Sequence, residues 1–268
     1  MHSFVSFNQC LVPAAESFVL AVSPTALYGK GIFSTLAIYN ARAFIWEKHW
    51  RRLTANAMIA GIDISQFSEE AILKTLDEII AKNNVGNGRA RITFFDESAG
   101  GMWPFDTGRK SSLLITTADN RKIADNFQVT VSPHCINAAS PLAGIKSCNY
   151  LEHLMAFEEA KARGFEEAVR LNERGEVASA CMANVFWSKG GMLYTPSLKT
   201  GCLAGTTREF ILENLECAEV EAKHEELLSA DDIFLTSAGI GVVQVAEFEG
   251  RAMQRQPHGI LAVVPKPI

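Results

Sequence analysis

Apolar positions along the chain change period several times, and each change marks an element. Ile32–Tyr39 and Ala43–Trp46 carry strand-type runs on either side of the polar turn Asn40-Ala41-Arg42, which predicts a strand pair. From Glu47 to about Ala60 the spacing becomes helical, and Gly61 stops it. Ser68 has the chemistry of an N-cap for a second helix with the apolar stripe Ile72, Leu73, Leu76, Ile79 and Ile80. Strands are expected at Ala90–Phe95 and Leu113–Thr117. Residues 1–117 thus read as a smaller N-terminal α+β domain.

The polar stretch 118–126 reads as a linker, and 127–268 as a larger C-terminal α/β domain. Its first strand is expected at Gln128–Ser132. A helix follows from about Tyr150 to Arg163, capped by Asn149 with Glu152 three residues on and ended by Gly164. Further strands are predicted at Glu167–Leu171, Asn184–Ser188, Ile233–Thr236 and Leu261–Val264. Two α/β units with a cleft between them is the expected architecture, and clefts at domain boundaries suit small ligands.

Composition narrows the function. The chain is 268 residues, 48% hydrophobic and 21% charged, with a formal net charge of −5 and no basic block, which argues against a nucleic-acid partner. No apolar run is long enough to span a bilayer, and Met1-His2-Ser3-Phe4 does not open a signal peptide. The six cysteines form no C-x-x-C pair, so they read as reduced thiols, and the six histidines show no metal spacing. A cytoplasmic enzyme without a metal is the expected class.

Three segments can carry chemistry. Lys146 closes the stretch Pro141-Leu-Ala-Gly-Ile-Lys146 just before a helix, where partial desolvation would favour a neutral, nucleophilic amine. The alternative is a surface lysine whose stem covers apolar neighbours. Leu203-Ala-Gly205-Thr206-Thr207-Arg208 precedes a helical run and has the makings of an anion site, or of a plain N-cap. In His49-Trp-Arg-Arg52 the second arginine could complete a phosphate site or simply face solvent. Cys181, among small residues, reads as core.

Taken in order, these segments resemble the class IV aminotransferase family, the fold-type IV pyridoxal 5'-phosphate (PLP) enzymes. The resemblance runs from Tyr28-Gly-Lys-Gly-Ile-Phe to Thr236-Ser-Ala-Gly-Ile-Gly and is most specific over Leu142–Gly205. It implies a two-domain fold of the D-amino acid aminotransferase type with the active site in the interdomain cleft, and an assembly that is typically a homodimer. It further implies that Lys146 forms the Schiff base and moves the Cα proton. Arg52, Gly205, Thr206 and Thr207 would hold the phosphate, and Leu203 would pack on the pyridine ring. Ser237 and Ala238, within Thr236–Gly239, would contact phosphate and substrate carboxylate. Tyr28 and Phe33 would line the amino-acid side of the cleft.

Three departures stand out. Ser179 occupies the position, five before Asn184, at which the family carries a glutamate on the pyridine nitrogen. Glu176 should face the other side of an extended strand and cannot substitute. Asp96-Glu97-Ser98 replaces a usual Arg-Gly pair, and Lys30 replaces a frequent Asp. Within the family, Leu-Ala-Gly-Ile-Lys146 and Asn184-Val-Phe-Trp-Ser-Lys-Gly190 look most similar to the 4-amino-4-deoxychorismate lyase branch, which releases pyruvate and the folate precursor 4-aminobenzoate. An amino-acid transaminase of the branched-chain or D-amino acid type is the second reading. A family member that only binds PLP or another phosphorylated ligand is the third.

Overall fold

A computed structural model describes residues 1–98 and 110–265 of the chain. The parts of the expected domains at 99–109 and 266–268 lie outside the described residues. Two compact units form. Of the described residues, the first contains 1–98, 110–120 and the short segment Lys146–Asn149; the second contains Arg121–Ile145 and 150–265.

In the first unit the elements are β1 (Phe4–Phe7), β2 (Cys10–Pro13), α1 (Pro24–Tyr28), β3 (Gly31–Tyr39), β4 (Arg42–Ala43), α2 (Trp46–Ala60), α3 (Glu69–Lys82), β5 (Gly88–Asp96) and β6 (Ser111–Ala118). The six strands make one antiparallel sheet in the order β2-β1-β6-β5-β3-β4. The β3–β4 hairpin turns on two residues, Asn40 and Ala41, both at positive φ, as a type I' turn requires. The expected strand Ala43–Trp46 is therefore short. Ile45 sits in the left-handed region, and Trp46 opens α2 instead.

Both helices follow their apolar spacing. Trp46, His49, Leu53 and Ala57 form the buried face of α2, which Gly61 ends at φ 64°. Ser68 caps α3, accepting from the Ala71 N–H at 3.2 Å, and Ile72, Leu76, Ile79 and Ile80 are buried beneath it. On β3 the even-numbered residues face α2, so Ser34 meets His49 there. Phe33 points to the other face.

The segment 146–149 joins this unit as an added edge. Phe33 N–H donates to Lys146 O at 2.9 Å, Cys148 N–H to Gly31 O at 2.8 Å, and Ile32 bridges Ser147. Gly31 permits the approach, since a Cβ there would lie 2.9 Å from Cys148 Sγ. Asn149 does not cap the helix that follows. Its amide donates to Gly29 O at 3.1 Å, so the helix begins without a side-chain cap.

The second unit contains β7 (Gln128–Val131), α4 (Leu151–Ala162), β8 (Glu167–Leu171), β9 (Val177–Ala180), β10 (Asn184–Lys189), β11 (Met192–Pro196), α5 (Thr206–Asn214), β12 (Ala218–Val220), α6 (Glu225–Leu228), β13 (Asp232–Ser237), β14 (Gly241–Gln244), β15 (Glu247–Phe248), β16 (Arg251–Ala252) and α7 (Ile260–Val263). Two five-stranded sheets, β12-β11-β10-β13-β14 and β16-β15-β7-β8-β9, share a core that includes Val169, Val177, Trp187, Leu235 and Phe248. On the other face of β8 and β9, Ala156 and Ala160 of α4 pack on Ala168 and Cys181.

The strand expected at Leu261–Val264 is the helical turn α7. Ile260 and Val264, four residues apart, are buried on one face, whereas a strand would put Ala262 on that face too, and Ala262 is exposed. Among the described residues no helix is long and apolar enough to cross a membrane.

Candidate active site

Lys146 sits at the edge of β3 with its ammonium 4.7 Å from the centroid of the Phe33 ring. The same ring carries the Arg91 guanidinium at 3.5 Å. Desolvation first, then the positive charges of Arg52 and Arg91, push the Lys146 pKa down to about 7. A lysine in this state supplies a neutral amine near neutral pH, while two guanidiniums beside it attract an anion.

Arg52 reaches this point by a buried chain. It donates from Nη2 to Ser34 Oγ at 2.7 Å, and Ser34 Oγ lies 2.8 Å from His49 Nδ1. Ser34 Oγ accepts from the donor-only guanidinium and shares a hydrogen bond with His49 Nδ1, so the one hydroxyl links the two side chains. Burial, then Arg52 and Lys146, hold the His49 pKa well below 6.5, which keeps the ring neutral near pH 7. Helix α2 thus presents Arg52 because a buried Ser–His pair orients it.

The second unit builds a separate cup. Gly205 is the N-cap of α5 and gives no side-chain cap, and Thr206 and Thr207 form the first helical turn. First-turn N–H groups have no partner inside a helix and favour an anion. Asn184 Nδ2 donates to Leu203 O at 2.8 Å and locks the loop. A Cβ on Gly205 would fall 2.0 Å from Asn184 Oδ1, so the loop lies against that side chain. Opposite Asn184 in the β10–β13 ladder stands Thr236, whose buried Oγ1 has no hydrogen-bond partner among the described residues. Ser237 follows, its Oγ accepting from Gly239 N–H at 3.3 Å, with Ala238 between them. A phosphate group fits these donors, since an orphaned buried hydroxyl and an uncapped helix start share one chemistry.

Ser179 lies on β9 directly opposite Arg170 on β8. Its Oγ turns back to donate to Ala180 O at 2.8 Å. Glu176 is held by Asn172 and Arg174, both at 2.8 Å, and stays out of reach of that face. Cys181 is core: burial, then Glu167, push its pKa up to about 12.

Among the sequence-derived residues, the first unit brings together Lys146, Arg52 and Phe33. Phe33 is a platform for two cations. Tyr28 ends α1 with 42% of its surface exposed. The second unit brings together Leu203, Gly205, Thr206 and Thr207 beside Asn184. Arg91, Ser34, His49 and Arg170 escaped the sequence reading. Strand alternation puts Arg91 and Thr93 on one face of β5, a signal that was available; nothing local marks Arg170.

Comparison with known proteins gives the chain's family. A family model for class IV aminotransferases matches residues 31–248. Aminodeoxychorismate lyase of Bacillus subtilis is 30% identical over 232 residues, covering 83% of this chain and 79% of the relative. D-alanine aminotransferase of Bacillus licheniformis is 28% identical over 255 residues, 93% and 89% of the two chains. The crystal structure of branched-chain aminotransferase from Thermoproteus uzoniensis with norvaline superposes with a TM-score of 0.90 at 26% identity, covering 98% of this chain and 92% of that one. With its fold-type IV architecture and a match over most of its length, this chain is an enzyme and belongs to the class IV aminotransferase family.

Proposed function

We propose that this chain is a PLP enzyme acting at the α-carbon of an amino acid, and that its reaction is the 4-amino-4-deoxychorismate lyase reaction, which releases pyruvate and leaves 4-aminobenzoate. The observation that carries the first part is the desolvated Lys146 amine, with a pKa of about 7, beside Arg52 and Arg91. Arg52 in the first unit offers a guanidinium suited to a phosphate, and in the second the first turn of α5, with Thr206 and Thr207, offers N–H and hydroxyl donors of the same kind. Leu203, Ser237 and Ala238 are assigned to the cofactor, and Tyr28 and Phe33 to the substrate side.

When bound, PLP supplies a sink for the electron pair left at Cα when a proton departs. Lys146, neutral near pH 7, accepts that proton and returns it where needed. Arg91 offers a guanidinium over the same Phe33 ring and suits a substrate carboxylate. Phe33 covers the lysine with apolar surface and keeps its amine poorly hydrated.

The lyase reading draws on the 30% identity to a lyase and on Ser179, which cannot supply the negative charge that would keep a ring nitrogen protonated. A weaker sink slows transamination more than an elimination driven by aromatisation of the product. A transaminase is the second reading, favoured by the 93% coverage against D-alanine aminotransferase. A homodimer in the cytoplasm belongs to the same proposal, and light scattering on the purified protein tests the dimer.

Incubation with 4-amino-4-deoxychorismate and PLP should release 4-aminobenzoate. Keto acid from a panel of L- and D-amino acids, with no 4-aminobenzoate, would replace the lyase by the transaminase. A visible Schiff-base band trapped by borohydride and missing from Lys146→Ala tests the cofactor assignment itself.

A further inference from the structure

We infer that Arg170 stands against the ring nitrogen of the cofactor and donates an N–H to it, so that the nitrogen stays unprotonated. The inference rests on the PLP reading above and names the group that takes the place of the missing carboxylate. The register is its first support. Val169 pairs with Ala180 and both enter the shared core, so Arg170 and Ser179, paired next, point together to the face of β8 and β9 that α4 covers. If position 179 looks toward the ring nitrogen, the Arg170 side chain shares that outlook.

The hydrogen-bond inventory is the second support. Arg170 is 1% exposed. Its Nε donates to His134 O at 3.0 Å, and Nη2 donates to Cys135 O at 2.7 Å and to the Glu152 carboxylate. Nη1 lies 3.3 Å from His153 Nδ1, which is itself 3.2 Å from Cys181 O. A carbonyl oxygen only accepts, so Nδ1 serves one of these two contacts. Nη1 has two N–H groups and, among the described residues, one neighbour at most. At least one N–H is left for a ligand.

Chemistry fixes the outcome. A guanidinium has donors only and keeps its protons at any ordinary pH. Its partner on the ring must therefore be a lone pair, which a pyridinium lacks; no proton is transferred. The charged groups around the guanidinium are Glu152, Glu167 and, when protonated, His153, and the first of these is already its ion-pair partner. Glu167 accepts from the Cys181 and Met182 N–H groups, and Glu176 is committed to Arg174. Among the described residues each of these carboxylates already has its own partners. An electron sink weakened in this way suits an elimination more than a transamination.

The test uses the whole protein loaded with PLP carrying nitrogen-15 in the ring. The visible band and its borohydride trapping are recorded first, and their absence overturns the PLP reading and this inference together. With the band present, the nitrogen-15 shift at neutral pH should be that of a neutral, hydrogen-bonded pyridine, and Arg170→Met should move it toward the unbonded value. A pyridinium shift in the wild type, or a signal that Arg170→Met leaves in place, overturns the inference alone. Should Arg170→Met not fold, the wild type decides. It should bind PLP about tenfold more tightly than the analogue with C–H in place of the ring nitrogen, one hydrogen bond from a charged donor. Equal affinities overturn the inference.

Discussion

Lys30 Nζ and Asp96 Oδ2 form an ion pair at 2.7 Å, at the end of the β3–β5 ladder where Asp96 N–H also donates to Lys30 O at 3.0 Å. Both residues stand where the sequence departs from the pattern it resembles, Lys30 in place of a frequent Asp and Asp96 in the Asp96-Glu97-Ser98 stretch that replaces an Arg-Gly pair. Side by side they form a single ion pair. Thr25 Oγ1 reaches the carbonyl oxygens of both residues and ties α1 to the same corner. Burial alone would raise the Asp96 pKa, but hydrogen bonds from Lys30 and Ser98 outweigh it and hold the carboxyl below its usual value. Lys30→Asp should therefore destabilise by about 1–2 kcal/mol, between the exposed and buried limits for ion pairs. Lys30→Asp with Asp96→Arg should recover most of that loss in thermal unfolding. A double variant as unstable as the single one would mean that the ion pair contributes nothing at this corner.

Lys146 costs stability for its chemistry. Its folded pKa of about 7 lies below the ordinary 10.5, so the unfolded chain binds the proton more tightly. The penalty is fully present below pH 7 and disappears as pH rises toward 10.5. Without PLP, Lys146→Met should unfold at a higher temperature than the wild type at neutral or acidic pH, with the gap closing in mildly alkaline buffer. Equal melting temperatures at neutral pH would mean that the lysine is better solvated than its surroundings imply.

Local rules made much of this legible and long-range pairing hid the rest. Gly61 and Ser68 end and begin their helices as their chemistry dictates, and the apolar approach to Lys146 agrees with its desolvation in the structure. Asn149 had the right residue type for a cap, yet a carbonyl more than a hundred residues away, Gly29 O, took its amide. The run Leu261–Val264 was too short for its period to separate strand from helix. Arg170 could not be found from neighbours in sequence, because its meaning comes from Ser179 across a ladder. Lys30 and Asp96 each looked like a loss until the sheet put them side by side.

Ser34 should be felt in ligand affinity more than in folding. It is the acceptor that orients Arg52 and the hydrogen-bond partner of His49 Nδ1. Ser34→Ala should weaken PLP binding by about tenfold, in keeping with one lost hydrogen bond to a charged group, with the far-ultraviolet spectrum unchanged. Fluorescence titration with PLP reads the change. Unchanged affinity would remove Arg52 from the phosphate.

His49 predicts a pH dependence of stability. Its pKa in the folded protein lies well below the 6.5 of the unfolded chain, so between those values the unfolded state holds the extra proton. The wild type should lose stability as pH falls below about 6.5, by up to about 1.4 kcal/mol per pH unit from this group. His49→Gln removes the titrating ring, so its urea midpoint should fall less steeply over the same interval. Parallel curves for the two proteins would show that His49 titrates normally.

Gly205 gives the sharpest steric prediction. A Cβ placed there meets Asn184 Oδ1 at 2.0 Å, and the Asn184 amide is the group that fastens the Leu203 carbonyl. The added methyl cannot be absorbed by bending a free side chain without breaking that bond, and the start of α5 must shift with it. Gly205→Ala should therefore weaken PLP binding by at least about tenfold, because the first-turn N–H groups lose their aim. Gly86→Ala is the matched control, since a Cβ there meets nothing within 4 Å. It should leave both affinity and melting temperature close to wild type, within about 0.5 kcal/mol. If Gly205→Ala binds PLP as tightly as Gly86→Ala does, the start of α5 is not where the phosphate is held.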